Sequence, residues 1–238
     1  MKKILGLKAI YIKEILSYFR SPIAYFVIAV FLLGTGYFFS YNIFLTGIGT
    51  MNETFKSMGI LFLTLGPILT MRLFSAEYNS KTIELLMTLP LETWQVVIGK
   101  YLGAVTILFL MTLATCINLI PLYLYGTPQT SNIFCGYIGF ILLGMTCIAI
   151  GQFFSGLTEN QIVAALITIP TLLGFWFIGH LQSLQSNVFL KNLFEYLSFA
   201  LHFASFIKGL LRLDGVIFFI CIIASSLTLN ITYFKLRR

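Results

Sequence analysis

Glu77, Lys81, Glu84 and Glu92 fall in one stretch, from Ser75 to Lys100, of an otherwise apolar chain. Glu77 precedes Lys81 by four residues, the favourable order for a charge pair along a helix. Such a set suits a charged contact surface rather than bond making. The catalytic alternatives fail on spacing. A phosphate-binding G-x-x-x-x-G-K-[ST] loop is excluded, because Gly99-Lys100 is followed by Tyr101 and the required earlier glycine is Trp94. His180 and His202 stand outside any H-E-x-x-H motif or carboxylate cluster, so they read as interfacial or structural histidines. Gly47-x-Gly49 lacks the strand and helix of a dinucleotide fingerprint and reads as a turn.

The elements that must position these residues are membrane helices. Of 238 residues, 58% are hydrophobic and 10% charged, with a mean hydropathy of +0.94. Ordinary soluble domains carry roughly 25% charged residues, so soluble enzyme folds are excluded. The net charge of +7 does not point to nucleic acid, because the basic residues sit at the edges of apolar runs, where anionic lipid headgroups would meet them. Cys116, Cys135, Cys147 and Cys221 form no C-x-x-C pair and read as small packing residues.

Uncharged runs of about 20 residues suffice to cross a bilayer. Six are expected, at about 23–44, 57–75, 101–125, 135–157, 162–180 and 215–234. The second has the shortest uncharged core, between Lys56 and Arg72, and is interrupted by Gly66-Pro67. An even number of crossings puts both termini on one side. With that side inside, eleven lysines and arginines lie within and four outside, which favours cytosolic termini. Apart from Arg72, no ionisable residue is expected deep in a span. This argues against a self-sufficient ion-driven pump and against an intramembrane enzyme. Asn42, Asn118, Gln152 and Thr168 are embedded polar residues, read as packing rather than pathway residues. Gly99 and Gly103 would let helices approach closely.

Residues 1–21 place Lys2, Lys3, Lys13, Glu14, Ser17 and Arg20 on one arc and most large apolar residues on the other, with Lys8 and Ile10 breaking the pattern. No short apolar core ending in an A-x-A site marks a signal sequence. The segment reads as an amphipathic helix in the membrane interface, its charged arc toward water and lipid phosphates; an ordinary cytosolic helix is the alternative. In the inner connection, 76–100, a helix is expected from near Ser75 to Pro90, with Thr93 capping a second helix. Ile83, Leu86 and Met87 form an apolar stripe that would lie on lipid or enter a groove on a soluble partner. The outer connection, 181–214, is expected to lie on or dip into the outer leaflet as one or two short helices.

Phe74-Ser75-Ala76-Glu77, the run Thr82-Ile83-Glu84-Leu85-Leu86-Met87-Thr88-Leu89-Pro90, and Ile98-Gly99-Lys100-Tyr101 resemble the signature of ABC-2 type permeases, the transmembrane subunits of ATP-binding-cassette transporters. Ser21-Pro22-Ile23-Ala24-Tyr25, Gly136-Tyr137-Ile138-Gly139 and Ser155-x-Leu157-Thr158-x-Asn160-Gln161 further resemble the branch associated with bacterial gliding motility. Two positions depart from the family pattern. Tyr78 stands where a second Glu is usual, and Lys81 where a Gly precedes the Thr.

The resemblance implies an all-α integral membrane protein of six transmembrane helices, with residues 1–21 as an elbow helix and 76–100 as a cytosolic coupling region. It implies a second permease, identical or sibling, and a separate ATPase subunit that binds ATP and Mg, with no cofactor or metal in this chain. Glu77, Thr82, Glu84, Leu85 and Leu86 would transmit nucleotide-driven motion, and Thr158, Glu159, Asn160 and Gln161 would face the same partner. None would be catalytic. The expected function is that of an exporter permease in the bacterial inner membrane; an anchor for a motility or secretion machine is the alternative.

Overall fold

The computed structural model describes residues 2–46, 51–82, 91–125, 129–181 and 188–236. Gly47, Gly49, the Ile83/Leu86/Met87 stripe and Pro90 lie outside the described residues, as do the site positions Glu84, Leu85 and Leu86. Among the described residues the chain is helical and contains no strand. The elements are α1 (Lys2–Arg20), α2 (Pro22–Thr46), α3 (Asn52–Thr70), α4 (Arg72–Asn79), α5 (Thr93–Thr115), a 3-10 turn (Cys116–Asn118), α6 (Leu119–Tyr125), α7 (Thr130–Leu157), α8 (Gln161–Leu181), α9 (Val188–Leu197), α10 (Phe199–Ile207) and α11 (Leu213–Leu236).

Among the described residues, six stretches are long and apolar enough to cross a membrane: α2, α3 with α4, α5 through α6, α7, α8 and α11. The third is longer than expected. Thr93–Leu124 spans 32 residues, about 48 Å at 1.5 Å per residue, well beyond a hydrocarbon core of about 30 Å. The helix is therefore longer than the apolar layer is thick. Glu92, not Thr93, caps this helix: the Glu92 backbone N–H donates to Gln95 Oε1 at 2.9 Å, and the Glu92 side chain accepts from the Gln95 N–H. The reciprocal pair satisfies two helix-end donors, where a lone threonine cap would satisfy one.

α7 is the central helix, packed against α3, α5, α8, α10 and α11. Small residues make this possible. A Cβ on Gly151 would fall 2.1 Å from Thr70 Oγ1 of α3, and one on Gly139 would fall 2.5 Å from Phe206 Cβ of α10. Without a hydrophobic drive between helices in lipid, such close backbone approach supplies the packing energy. The outer connection forms two short helices, and the second is drawn into the bundle: Phe199, Phe203 and Phe206 are fully buried. Gln152 donates to the Val97 carbonyl at 2.8 Å, joining α7 to α5, and Thr168 bonds back to Ala164. Both act in packing.

Pro67 lies inside α3, and the chain breaks between α3 and α4 at Met71. Ser155 of α7 enters the break. Its hydroxyl accepts from Phe74 N (3.1 Å) and Ser75 N (3.2 Å) and donates to the Met71 carbonyl (2.8 Å). A side chain inserted in a helical ladder, one turn beyond a proline, is a recognised cause of such a break.

Candidate functional site

The end of the bundle carrying both termini gathers charge. Its geometry begins with α1, whose buried positions among the described side chains are Ile10, Glu14 and Tyr18, each four residues apart. Ile10 sits over Gly99, and Glu14 over Gly103; a Cβ at either glycine would approach these side chains to 2.9 Å. Gly99 and Gly103 thus form the shallow face of α5 on which α1 rests.

This arrangement corrects the reading of α1 as a helix with its whole charged arc toward water. Glu14 is only 8% exposed. Ile12, Leu16 and Phe19, on the opposite face, are 44–47% exposed. The reason is electrostatic: Lys100, two turns from the start of α5 and 2% exposed, needs a counter-charge and finds Glu14 at 3.2 Å. Lys100 also pairs with Glu77 at the end of α4 (3.1 Å) and lies 5.2 Å from the centre of the Phe74 ring. Lys13 closes the set on Glu77 at 3.0 Å.

Two lysines and two glutamates thus join α1, α4 and α5. A buried ammonium costs several kcal/mol to desolvate, and sharing it between two carboxylates offsets that. Tyr18 adds a neutral link, its hydroxyl donating to the Leu69 carbonyl at 3.1 Å. Burial first, and the nearby Glu14 charge second, raise its pKa well above the ordinary phenol value, so the donor proton stays in place. Arg72 bonds Ser21 at the corner between α1 and α2. A cavity of about 310 Å³ opens beside the network, lined by Glu14, Arg72, Glu77, Thr82 and Lys100 among others.

A profile of the family described as ABC-2 family transporter protein matches residues 26–235. The chain belongs to that family. No curated protein matches it. ABC-2 permeases are membrane components without catalytic activity of their own, and the described residues hold no group of three or more His, Cys, Asp or Glu placed to take a metal.

Against the ABC-2 signature, the helix bearing Glu77 differs from expectation. It starts at Arg72 rather than Ser75 and ends at Asn79, so no single helix runs on toward Pro90. Ser80 Oγ donates back to the Ala76 carbonyl at 2.9 Å, and Lys81 takes φ 55°, which ends the helix. The expected Glu77–Lys81 pair does not form, because Glu77 turns inward to Lys100 and Lys13. Tyr78, where the family usually has Glu, stacks on Phe234 of α11 at 6.4 Å. Lys100 is likewise no flanking surface charge but a buried one inside the third spanning helix.

The second set occupies the turn between α7 and α8. Thr158 Oγ1 donates to the Phe154 carbonyl (3.3 Å), and Asn160 Oδ1 accepts from Ile162 N (2.9 Å), capping α8. Glu159 is exposed, and Gln161 lines a groove that also holds Arg72. Glu77 and Thr82 are therefore brought to the charged cavity, while Thr158–Gln161 form a separate turn. The sequence places Lys13 and Glu14 on a water-facing arc and Lys100 and Ser155 in signature stretches, but makes none of the four a site residue. One signal was available: Glu14 is the sole acid in α1, and Gly99-Lys100-x-x-Gly103 offers a lysine between two small residues.

Proposed function

We propose that this ABC-2 chain is the permease subunit of an exporter in a bacterial cytoplasmic membrane, with both termini cytosolic, working with a second permease and a separate ATPase. The observation that carries the reading is the Glu14–Lys100–Glu77–Lys13 network. It ties α1, the end of α4 and the start of α5 into one unit, and the segment 83–90 that bears Glu84, Leu85 and Leu86 is connected at both ends to this unit. A push on that segment by an ATPase would reach the third spanning helix through Lys100 and the second through Glu77. Glu77 and Thr82 are positioning residues in this scheme, and Thr158–Gln161 form a second contact on the same face. ATP and Mg belong to the partner.

Motion would then shift the permease pair between two states, by as much as the partner's differential binding allows. The stretches resembling gliding-motility permeases support placement in that branch, though Gly136 and Gly139 serve packing against Phe55 and Phe206. Affinity purification of the tagged chain from its native host tests the proposal. An ATP-binding-cassette ATPase should co-purify, and its ATP-dependent transport or assembly should fall when Glu84→Arg and Leu85→Asp are introduced together. Absence of any ATPase, or unchanged assembly and transport, would overturn it.

A further inference from the structure

The corner between α1 and α2 holds two guanidinium groups without acid partners. Arg72 is half-buried and bonds Ser21 only; Arg20 is exposed. Neither forms an ion pair with any described carboxylate, since Glu14 and Glu77 are taken by Lys100 and Lys13. Both arginines line one open groove of about 890 Å³ between α1, the start of α2 and the start of α8. Lys13, paired with Glu77, and Ser17, Ser21 and Gln161 complete its polar lining, and its apolar side carries Ile12, Leu16 and Ile23, which remain 44%, 47% and 38% exposed there.

Cations and bare apolar surface in one groove call for an occupant with both properties. Guanidinium forks match phosphate oxygens in pairs, while exposed isoleucine and leucine match hydrocarbon. Inorganic phosphate would satisfy the first and leave the second wet. We propose that this groove is a binding site for an anionic phospholipid, its phosphate held between Arg20 and Arg72 and its acyl chains lying along Ile12, Leu16 and Ile23. The lipid supplies the counter-charge that Arg72 lacks within the described chain and covers the outer face of α1.

The test uses the full-length chain, purified in mild detergent with whatever subunits accompany it, delipidated, and offered phosphatidylglycerol and phosphatidylcholine in equal amounts. Native mass spectrometry then counts retained lipid. Phosphatidylglycerol should be retained preferentially, and Arg20→Gln, at an exposed position that should leave folding intact, should weaken its retention by about five-fold, as expected for one basic residue at a lipid surface. Arg20→Gln with Arg72→Gln should abolish the preference, and millimolar inorganic phosphate should not displace the lipid. Equal retention of both lipids, retention unchanged in Arg20→Gln, or displacement by inorganic phosphate would overturn the proposal. So would a change of oligomeric state in Arg20→Gln, which would assign the groove to a second copy of the chain.

Discussion

Lys100 Nζ of α5 lies 3.2 Å from Glu14 Oε2 of α1, and both side chains are withdrawn from solvent, at 2% and 10% exposure. The amino-terminal helix is therefore bolted to the third spanning helix by charge as well as by the Ile10–Gly99 contact. Lys100→Met would leave Glu14 and Glu77 buried without their shared cation. The expected loss is roughly 3–5 kcal/mol, the usual result of breaking a buried pair, read as a lower midpoint in thermal unfolding of the purified protein. Lys100→Met/Glu14→Leu should recover part of it; no recovery would show that the two residues act independently.

Lys81 occupies φ 55°, where a side chain is strained and glycine is not. Lys81→Gly should stabilise the protein or leave it unchanged, the relief of about 1 kcal/mol being set against added freedom in the unfolded chain. Chemical denaturation of the two forms checks this. A clear loss of stability would mean that the Lys81 side chain makes a contact of its own.

Ser155 serves three backbone groups at the α3–α4 break. Ser155→Ala leaves the Phe74 and Ser75 N–H groups without this acceptor in a buried site, at a cost of roughly 2 kcal/mol. Hydrogen exchange at Phe74 and Ser75 should accelerate more than at distant amides of α7. Uniform acceleration would argue against a local role.

His202 of α10 stacks on Phe218 with ring centres 4.1 Å apart, and its Nε2 faces the Tyr196 carbonyl at 3.1 Å. Burial is the main influence and lowers its pKa from 6.5; the Tyr196 carbonyl and Asp214 oppose the shift, and Arg212 adds to it. A histidine held neutral in the fold binds its proton more readily when unfolded. Its contribution to stability is thus full above about pH 6.5 and is lost as pH falls from there through the lowered folded value. His202→Phe should flatten the pH dependence of unfolding between neutral and mildly acidic pH. An unchanged slope would show that other groups carry it.

The spanning helices were legible because a bilayer demands about 20 apolar residues in a row, and each such run stands out against 10% charged residues. Even the difficult second one was found, and Pro67 is accommodated within it. Glu14 and Lys100 were not legible as partners, because they are 86 residues apart and each fits a surface position when its own helix is read alone. The end of α4 was misjudged for a related reason. Glu77 and Lys81 satisfy the local pairing rule, but a buried lysine on another helix competes for the same carboxylate and wins. Ser155 was visible as part of a motif, yet its use depends on a break in a helix that it does not belong to.

The charge clamp on α1 also orders events during synthesis. Glu14 emerges from the ribosome long before Lys100, and until α5 has been made and threaded into the lipid there is no cation for Glu14 to meet. Tyr18 and Lys13 can meet α3 and α4 first, but the seat of the first helix on Gly99 and Gly103 must wait for α5. A nascent chain halted short of Thr93 would hold its leading segment by those two contacts alone and leave it more open to protease than one halted after α5 has cleared the translocon.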